Sequence, residues 1–343
     1  MGGYAGDALP LARALAQAVD GLITHPNVLN GAQLYWPRDN ILYVEGYALD
    51  QFAAGHWALR PVRRNCIGLV LDRAMEPDLR QRHVQVAEAA RATLGLDIAD
   101  YILTDEPLGV ALKTSDSGAS WGTIARPDSL LRATEKLIQQ TGAEAIAVVA
   151  RFPDEISDAL QDYRQGQGVD GLAGAEAIIS HLVVQTFQIP CAHAPALRPL
   201  PLDPSVSPRA AAEEIGYTFL PCVLVGLSRA PRYESVMGDP AELGGANRPL
   251  PRSCLTADHI NSVIVPAAAC GGSAILSWSA AGAKIIAVEE NTTALDVPPE
   301  PLGIQVIRVR SYLEAIGVVV SDRAGLDPTL LRPHIPPLRC LEA

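Results

Sequence analysis

Short apolar runs alternate with longer amphipathic segments along most of the chain, and this alternation restricts the folds that it can adopt. The runs at residues 67–71, 145–150 and 284–288 have the length and aliphatic composition of buried strands. The segments at 76–94 and 129–140 instead carry apolar residues at helical spacing. A strand, a helix and a second strand in succession require a crossover connection, which favours parallel pairing. The sequence therefore predicts an α/β fold with mostly parallel sheets flanked by helices.

The elements of this pattern are assigned by residue number. The predicted strands lie at 22–24, 41–44, 67–71, 101–104, 145–150, 189–192, 217–227, 263–265, 284–288 and 304–309. The predicted helices lie at 9–19, 76–94, 129–140, 154–163, 174–187, 208–215, 273–281 and 311–320. Glycines cluster at 165–172, which predicts two lobes, residues 1–168 and 169–343. The loop at 229–253, rich in Pro, Gly and Arg, is predicted to be a mobile binding loop or lid.

Composition narrows the class of protein. Of the 343 residues, 48% are hydrophobic and 19% are charged, which is typical of a packed globular protein and excludes a disordered chain. The net charge of −11 repels a phosphate backbone, so nucleic acid is not an expected partner. The sequence shows neither an apolar run long enough to span a membrane nor an export signal. We therefore expect a cytoplasmic protein without a membrane partner. Whether it forms a homo-oligomer stays an open question.

Polar and charged side chains are concentrated directly after the predicted strands. In open parallel sheets, ligands bind beyond the carboxyl ends of the strands, so these positions are the first place to look for a site. Strand ends always reach water, so solvation alone explains many of these residues. The candidates are His25, Asn27, Asp105, Arg151, Cys191, His193, Cys270, Gly271, Gly272, Ser273, Glu289 and Asn291.

The turn "AAACGGS", between a predicted strand and a predicted helix, combines a thiol, two glycines and a hydroxyl. Gly271 and Gly272 allow the backbone to approach a ligand closely, and the first turn of a helix has unpaired N–H groups. Together with Ser273 they favour a bound phosphate or carboxylate. Cys270 is expected to ionise more readily there than a free thiol. The alternative is a tight turn in which Ser273 is an ordinary N-cap and Cys270 a small core residue.

Cys191 and His193 are two residues apart at a strand end, which places both side chains on one face of the strand. Such a pair binds zinc or copper, or acts as nucleophile and base. The local spacing fixes no third ligand, so we predict no metal site and keep these two residues as weak candidates. We favour His193 as a general base or as a hydrogen-bond donor to the substrate. His181, flanked by apolar residues, is interpreted as a partly buried helix histidine.

Further strand-end residues complete the predicted site. Glu289 and Asp105 are candidates to orient or share the proton transfer, although the sequence does not give their separation. Arg151 is a candidate to neutralise an anionic substrate. The remaining candidates orient a polar ligand or, alternatively, cap their turns: His25, Asn27 and Asn291.

Several stretches carry a resemblance to a known family. They include "GGYAGDALP", "LITHPNVLNGAQLYWP", "ISHLVVQTFQIPCAHAPAL", "GYTFLPCVLVGLSRAP" and "VRSYLEAIGVVV". Together they resemble an uncharacterised domain family of cyanobacteria and plastids, and the resemblance extends over the whole chain. It implies a soluble protein of photosynthetic organisms and no particular reaction. Family members are expected to carry an apolar strand and a Thr-Gly-Ile-Gly-like stretch before the Gly-Gly-Tyr, so the glycine loop after Met1 is expected to be incomplete.

We therefore expect a soluble enzyme that acts on a small anionic metabolite in a cleft lined by the carboxyl ends of strands. The sequence separates neither the reaction types nor any cofactor. Two alternatives stay open. One is a non-catalytic metabolite sensor with the same pocket, and the other is an assembly factor with an exposed apolar patch.

The cysteines at 66, 191, 222, 254, 270 and 340 form no CxxC pair and no zinc-finger spacing, so we predict free thiols in a reducing compartment. Titration of the denatured, non-reduced protein with a thiol reagent should find all 6. A deficit of two thiols would show a disulfide and contradict the reducing compartment.

Overall fold

The computed structural model describes residues 8–25, 38–114, 120–154, 158–165, 171–199, 201–208, 210–211, 220–236, 250–251, 253–293, 295–335, 337–338 and 340. The largest sheet in these ranges has parallel strands in the order β5-β4-β8-β9. They are β4 (Ile67–Leu71), β5 (Ile98–Leu103), β8 (Ala145–Arg151) and β9 (Cys191–Ala196). The predicted α/β fold with parallel sheets flanked by helices is confirmed.

Both faces of this sheet are buried, which explains the nearly continuous aliphatic composition of its strands. Along β8, Ile146 and Val148 pack into the core on one face, whereas Ala147 and Val149 pack into the core on the other. Helices from across the chain cover the two faces. On the first face lie α4 (Pro127–Thr141) and α6 (Ala173–Phe187), and on the second lie α3 (Pro77–Leu94) and α7 (Leu220–Ser228).

The remaining strands form smaller sheets. β1 (Leu22–Thr24) and β2 (Ile41–Tyr43) pair in parallel, whereas β3 (Trp57–Arg60) pairs antiparallel with β10 (Arg232–Ser235), and β6 (Val110–Thr114) with β7 (Ser120–Ile124). β11 (Ser262–Pro266), β12 (Lys284–Val288) and β13 (Val306–Val309) form a three-stranded parallel sheet. The remaining helices are α1 (Leu9–Ala18), α2 (Gly46–Ala53), α5 (Asp158–Arg164), α8 (Ser273–Ala280) and α9 (Tyr312–Arg323).

The segment 217–227 is predicted as a strand, and this prediction is wrong for its described part, which belongs to helix α7. Leu220, Leu224 and Leu227 recur at helical spacing and are all buried against the sheet. The helix is apolar around most of its circumference, so periodicity does not distinguish it from a buried strand. The predicted helix at 208–215 lies mostly outside the described residues.

The predicted boundary near residue 168 falls between two paired strands. β9 follows this boundary and pairs with β8, which precedes it. The core on the first face of the sheet also draws on residues from Leu42 to Trp278. The division into lobes 1–168 and 169–343 stays a prediction. Most of the loop 229–253 lies outside the described residues, so its predicted mobility also stays a prediction.

Two further sequence predictions concern membranes and thiols. Among the helices described above, none is long and apolar enough to cross a membrane. Each of the six cysteines is a free thiol. The predicted thiol state therefore agrees with the structure.

Gly122 in β7 lies against α6, and the packing there leaves no room for a side chain. A Cβ at this position would lie 2.2 Å from the Cβ of Ala175 and 2.9 Å from the carbonyl oxygen of Ala111. Because both neighbours belong to regular elements, Gly122→Ala should lower the free energy of unfolding by about 1–3 kcal/mol. Urea denaturation of the variant and the wild type measures this difference.

Gly317→Ala is the control with the opposite expected sign. Gly317 lies inside α9, and a Cβ there would meet no atom within 4 Å. Alanine is favoured over glycine in a helix interior by about 0.5–1 kcal/mol, so this variant should gain stability. Equal effects of the two substitutions would contradict the packing described for Gly122.

Candidate functional site

His25 and Glu45 leave the carboxyl ends of two neighbouring strands. β1 and β2 pair in parallel with Thr24 opposite Tyr43, so the residues that follow them emerge at one edge. His25 follows β1 directly, and Glu45 is the N-cap residue of α2. The ring of His25 lies over Gly46, where a Cβ would stand 3.6 Å from its Nε2.

The side chain of Glu45 is almost completely buried, with 2% exposure. Its Oε2 accepts hydrogen bonds from the backbone N–H groups of Tyr47 at 2.7 Å and Ala48 at 3.4 Å, which caps the first turn of α2. Its Oε1 lies 3.6 Å from Nδ1 of His181 in α6. This carboxylate raises the pKa of His181. One buried carboxylate therefore joins β2, α2 and α6.

Helix α6 and strand β9 supply a second imidazole–carboxylate pair. Oε2 of Glu176, in the first turn of α6, lies 3.5 Å from Nε2 of His193 in β9. The other ring nitrogen of His193, Nδ1, lies 3.3 Å from Oγ of Ser180. All three side chains are buried. Glu176 and Ser180 are four residues apart and share one helix face, so a single helix holds both nitrogens of the ring.

His25 is electrostatically coupled to both pairs. Burial lowers its pKa to about 4, while the two glutamates raise it and the other two histidines lower it to smaller extents. Near neutral pH, His25 is therefore an uncharged imidazole that is able to accept a proton. We refer to His25, Glu45, Glu176, His181 and His193 as the His–Glu cluster.

Aromatic rings line the cluster beside His181. The ring of Tyr47 lies 5.0 Å from that of His181 and 5.6 Å from that of Trp57, both in edge-to-face contact. Trp57 stacks on Tyr233 with 5.2 Å between the ring centroids. The Tyr233 hydroxyl is buried near the backbone of Glu45, and it makes no hydrogen bond of ordinary geometry within the described part of the chain. Burial raises the pKa of Tyr233, so it remains a neutral phenol.

Among the described residues, the metal candidates Cys191 and His193 meet no third ligand. Within the described ranges, no group of three or more His, Cys, Asp or Glu side chains is arranged to hold a metal ion. Burial raises the pKa of the Cys191 thiol well above its ordinary value, which disfavours the thiolate that metals bind. His193 instead belongs to the His–Glu cluster.

Cys270 is a core residue, and the prediction that its thiol ionises easily is wrong. Its side chain is completely buried, with Sγ 3.7 Å from the carbonyl oxygen of Ala267 and 3.8 Å from that of Pro266. Burial raises the pKa of this thiol. Gly271 is also explained by packing, because a Cβ there would lie 2.7 Å from Cγ1 of Val297. The structure therefore agrees with the alternative interpretation of Cys270 as a small core residue.

The first turn of α8 holds a carboxylate of the chain itself. Oδ1 of Asp50, from α2, accepts the backbone N–H of Ala274 at 3.0 Å. Gly272 is the N-cap residue, so Ser273 stands inside the helix instead of capping it. Asp50 therefore binds one of the first-turn N–H groups of α8, and the anion site at Gly271, Gly272 and Ser273 stays a prediction.

Glu289 and Asn291 follow β12 and contact neighbouring elements of the C-terminal sheet. Oε1 of Glu289 lies 3.9 Å from NH1 of Arg308 in β13. Nδ2 of Asn291 donates a hydrogen bond to the hydroxyl of Tyr312 at 2.6 Å. The first contact places Glu289 beside β13, and the second places Asn291 beside the start of α9.

Asp105 and His193 lie at opposite edges of the four-stranded sheet. Asp105 follows β5, and His193 lies in β9, so three strand spacings of about 14 Å in total separate the two edges. The guanidinium of Arg132 binds both oxygens of Asp105, at 2.7 and 3.1 Å, and holds the pKa of this carboxyl well below its usual range. The structure therefore does not bring Asp105 and His193 together for a shared proton transfer.

Arg151 has a partner at each guanidinium nitrogen. Its Nε and NH2 bind the carboxylate of Glu76 at 2.9 and 3.0 Å. Its NH1 binds Asp154 at 2.8 Å and also the carbonyl oxygen of Phe152. The network joins the end of β8 to the start of α3, which explains Arg151 without a bound anion. The remaining candidate, Asn27, lies outside the described residues.

Sequence reasoning missed the carboxylates that pair with the histidines. Glu45 stands out only as a polar strand end, and Glu176 only as an acid in an otherwise apolar helix. One usable signal is the spacing of Glu176 and Ser180, two polar residues on one face of an apolar helix. His181, interpreted as a partly buried helix histidine, has a side chain that is 45% exposed and paired with Glu45.

The fold and the His–Glu cluster describe an α/β protein with two imidazole–carboxylate pairs, and sequence comparison places it in a family. The family model described as "Protein of unknown function (DUF3326)" matches residues 1–332, and the chain belongs to this family. An uncharacterized lipoprotein of Synechococcus sp., a cyanobacterium, is 61% identical over 334 residues, which cover 97% of this chain and 90% of the relative. No solved structure matches the chain. The resemblance predicted from the sequence is confirmed.

Asp50→Ala removes the acceptor for the backbone N–H of Ala274. We expect this variant to lower the free energy of unfolding by about 0.5–2 kcal/mol, the usual cost of a lost helix cap. Ser273→Ala should cost much less, because Ser273 makes no cap. Chemical denaturation compares the two variants, and a larger loss for Ser273→Ala would contradict the assignment of Asp50 as the acceptor.

The lowered pKa of His25 predicts a pH-dependent stability. Between pH 6.5 and about 4, the unfolded chain binds a proton at this residue more readily than the folded chain does, so the folded state loses stability as the pH falls through this window. His25→Gln removes the titration. Urea denaturation between pH 7 and pH 4.5 should show a steeper loss for the wild type than for the variant. Parallel pH profiles would contradict the burial of a neutral imidazole.

Proposed function

We propose that this protein is an enzyme that transfers protons on a small polar metabolite, with the His–Glu cluster as its acid–base centre. The observation that carries the proposal is the pairing of His193 with Glu176 and of His181 with Glu45, with His25 coupled to both pairs. A carboxylate beside an imidazole fixes the orientation and tautomer of the ring and stabilises its protonated form. The expected enzyme activity and the role of His193 as a base are retained in this proposal.

The electrostatics of the cluster suit acid–base chemistry. Its imidazoles differ in proton affinity, because burial lowers the pKa of His25 and Glu45 raises the pKa of His181. The cluster therefore contains a neutral imidazole, His25, which is able to accept a proton. It also contains a stronger base, His181, which carries a proton more readily. Groups whose environments push their pKa values apart are how enzymes provide an acid and a base at one pH.

The cost of burial supports a functional role. Glu45 and Glu176 are 2% and 8% exposed. Burial of a carboxylate costs several kcal/mol unless hydrogen bonds and charge pairing offset it. A hydrophobic pair would connect α6 to the sheet without this cost. The presence of imidazoles and carboxylates at these positions therefore favours a chemical role.

The cluster also refines the class of substrate. The sequence predicts a small anionic metabolite, and Asp50 already binds one of the N–H groups at the start of α8 where that anion is expected. The two buried carboxylates of the cluster repel a second negative charge. We therefore propose that the part of the substrate that reaches the cluster is uncharged or cationic.

Proton transfer is tested in D2O with a polar metabolite extract of cyanobacterial cells. Mass spectrometry should find at least one metabolite that changes in mass or abundance with the wild-type protein. His193→Gln should slow this change by about 10²–10⁴-fold, the usual contribution of a general base. Asp39→Asn is the control. The Asp39 side chain is 95% exposed and pairs with Arg229, which is not a member of the His–Glu cluster.

Three outcomes would overturn the proposal. A metabolite that binds in native mass spectrometry but leaves unchanged would favour the non-catalytic sensor. Turnover that survives in both His193→Gln and Glu176→Gln would place the chemistry elsewhere. A large rise of the melting temperature with Zn²⁺ or Mn²⁺ alone would show a metal site in place of an acid–base centre.

The cellular location stays a proposal as well. The sequence predicts a cytoplasmic protein, whereas the description of the Synechococcus relative as a lipoprotein favours attachment to a membrane. We propose the cytoplasmic location because the structure carries six free thiols, which is typical of a reducing compartment. Recovery of the native protein in the membrane pellet, with release by detergent but not by salt, would contradict it.

A further inference from the structure

An open cleft of about 990 Å³ lies where α2 and α8 both end. Its walls include Ala54 and Gly55 after α2, Ala281 and Gly282 after α8, and the turn at 256–261. This volume is at the upper end of the range of about 300–1,000 Å³ that small-molecule sites occupy. The small side chains at both helix ends leave the space open, and none of the contacts of the His–Glu cluster forms this cleft.

The charges around the cleft have one predominant sign. The carbonyl end of each helix carries a partial negative charge, and two such ends meet here. The carboxylate of Asp258 is 84% exposed, and the hydrogen bond from Thr256 lowers its pKa, so it is anionic at neutral pH. The ammonium of Lys284, also in the lining, is already bound to Asp322. The cleft therefore attracts a cation.

Two tryptophans line the same cleft. Trp57 and Trp278 contribute to its wall, and indole rings attract organic cations through their π-systems. The negative potential and the two tryptophans of the wall together favour an organic cation as the ligand.

We propose that this cleft binds a small organic cation, an alkylammonium or guanidinium compound. The site is separate from the His–Glu cluster but adjacent to it, because Trp57 contacts both Tyr47 and Tyr233, which line the cluster. The proposal does not depend on the proposed proton transfer.

Tryptophan fluorescence provides a direct assay, because two of the four tryptophans of the chain line the cleft. Agmatine and tetramethylammonium chloride are the cationic probes, and citrate and sodium chloride at equal ionic strength are the comparisons. We expect a saturable change in fluorescence with the cationic probes only. A change of the same size with sodium chloride, or no saturable change up to tens of millimolar, would overturn the proposal.

Matched variants test whether agmatine binds in the cleft. Ala54→Arg puts a positive charge at the rim and should abolish agmatine binding, whereas Ala54→Gln adds similar bulk without charge and should retain it. Asp258→Asn should weaken binding by about two- to fivefold, the usual value of an exposed charge pair. The control Asp39→Asn should leave the affinity unchanged.

The remaining results decide between the two sites. His193→Gln should bind agmatine as the wild type does, so a failure of the proton-transfer proposal leaves this one standing. Loss of agmatine binding in His193→Gln would place the cation in the His–Glu cluster and overturn the cleft proposal. Equal binding by Ala54→Arg and Ala54→Gln would also overturn it.

Discussion

The buried carboxylate of Glu45 is the contact on which the arrangement of the candidate site depends. It follows β2, caps the first turn of α2 and lies 3.6 Å from His181 in α6. Since the chain segments that it joins are far apart in sequence, the carboxylate fixes the position of α6 relative to β1 and β2. Through α6 it also positions Glu176, and hence His193. The His–Glu cluster therefore follows from one side chain placed at the end of a short parallel strand.

A similar use of carboxylates recurs elsewhere in the fold. The carboxylate of Asp50 accepts the backbone N–H of Ala274 in the first turn of α8. This contact connects α2 to α8, the helix between β11 and β12. Asp72, completely buried after β4, accepts backbone N–H groups from Ala74, Leu108 and Arg151. These acids follow strands or lie in helices, and they bind backbone N–H groups that a ligand would otherwise meet. Polar residues at strand ends are thus in part internal ligands of the chain, which limits their value as markers of a substrate site.

The fold was more accessible from the sequence than the site. Alternating apolar runs are a local signal. The structure therefore agrees with the strands predicted at 67–71, 145–150 and 284–288. It also agrees with the predicted helix at 76–94, which ends at Gly95. The helix Leu220–Ser228 was not accessible in this way, because a helix buried on most sides lacks a polar face. His25 and His193 were identified as site candidates from strand ends. Their partners were not, because pairs such as Glu45 with His181 form between segments with no local relation in sequence.

The coupling of the three histidines through two carboxylates is the central claim, and ¹⁵N NMR titration of the histidine rings tests it most directly. Glu176→Gln should shift the titration of His25, because His25 is coupled to this carboxylate. His83 in α3, whose Nδ1 lies 2.8 Å from the carbonyl oxygen of Leu79, is the internal reference and should not change. Titration of His25 as in the wild type would contradict a single coupled cluster.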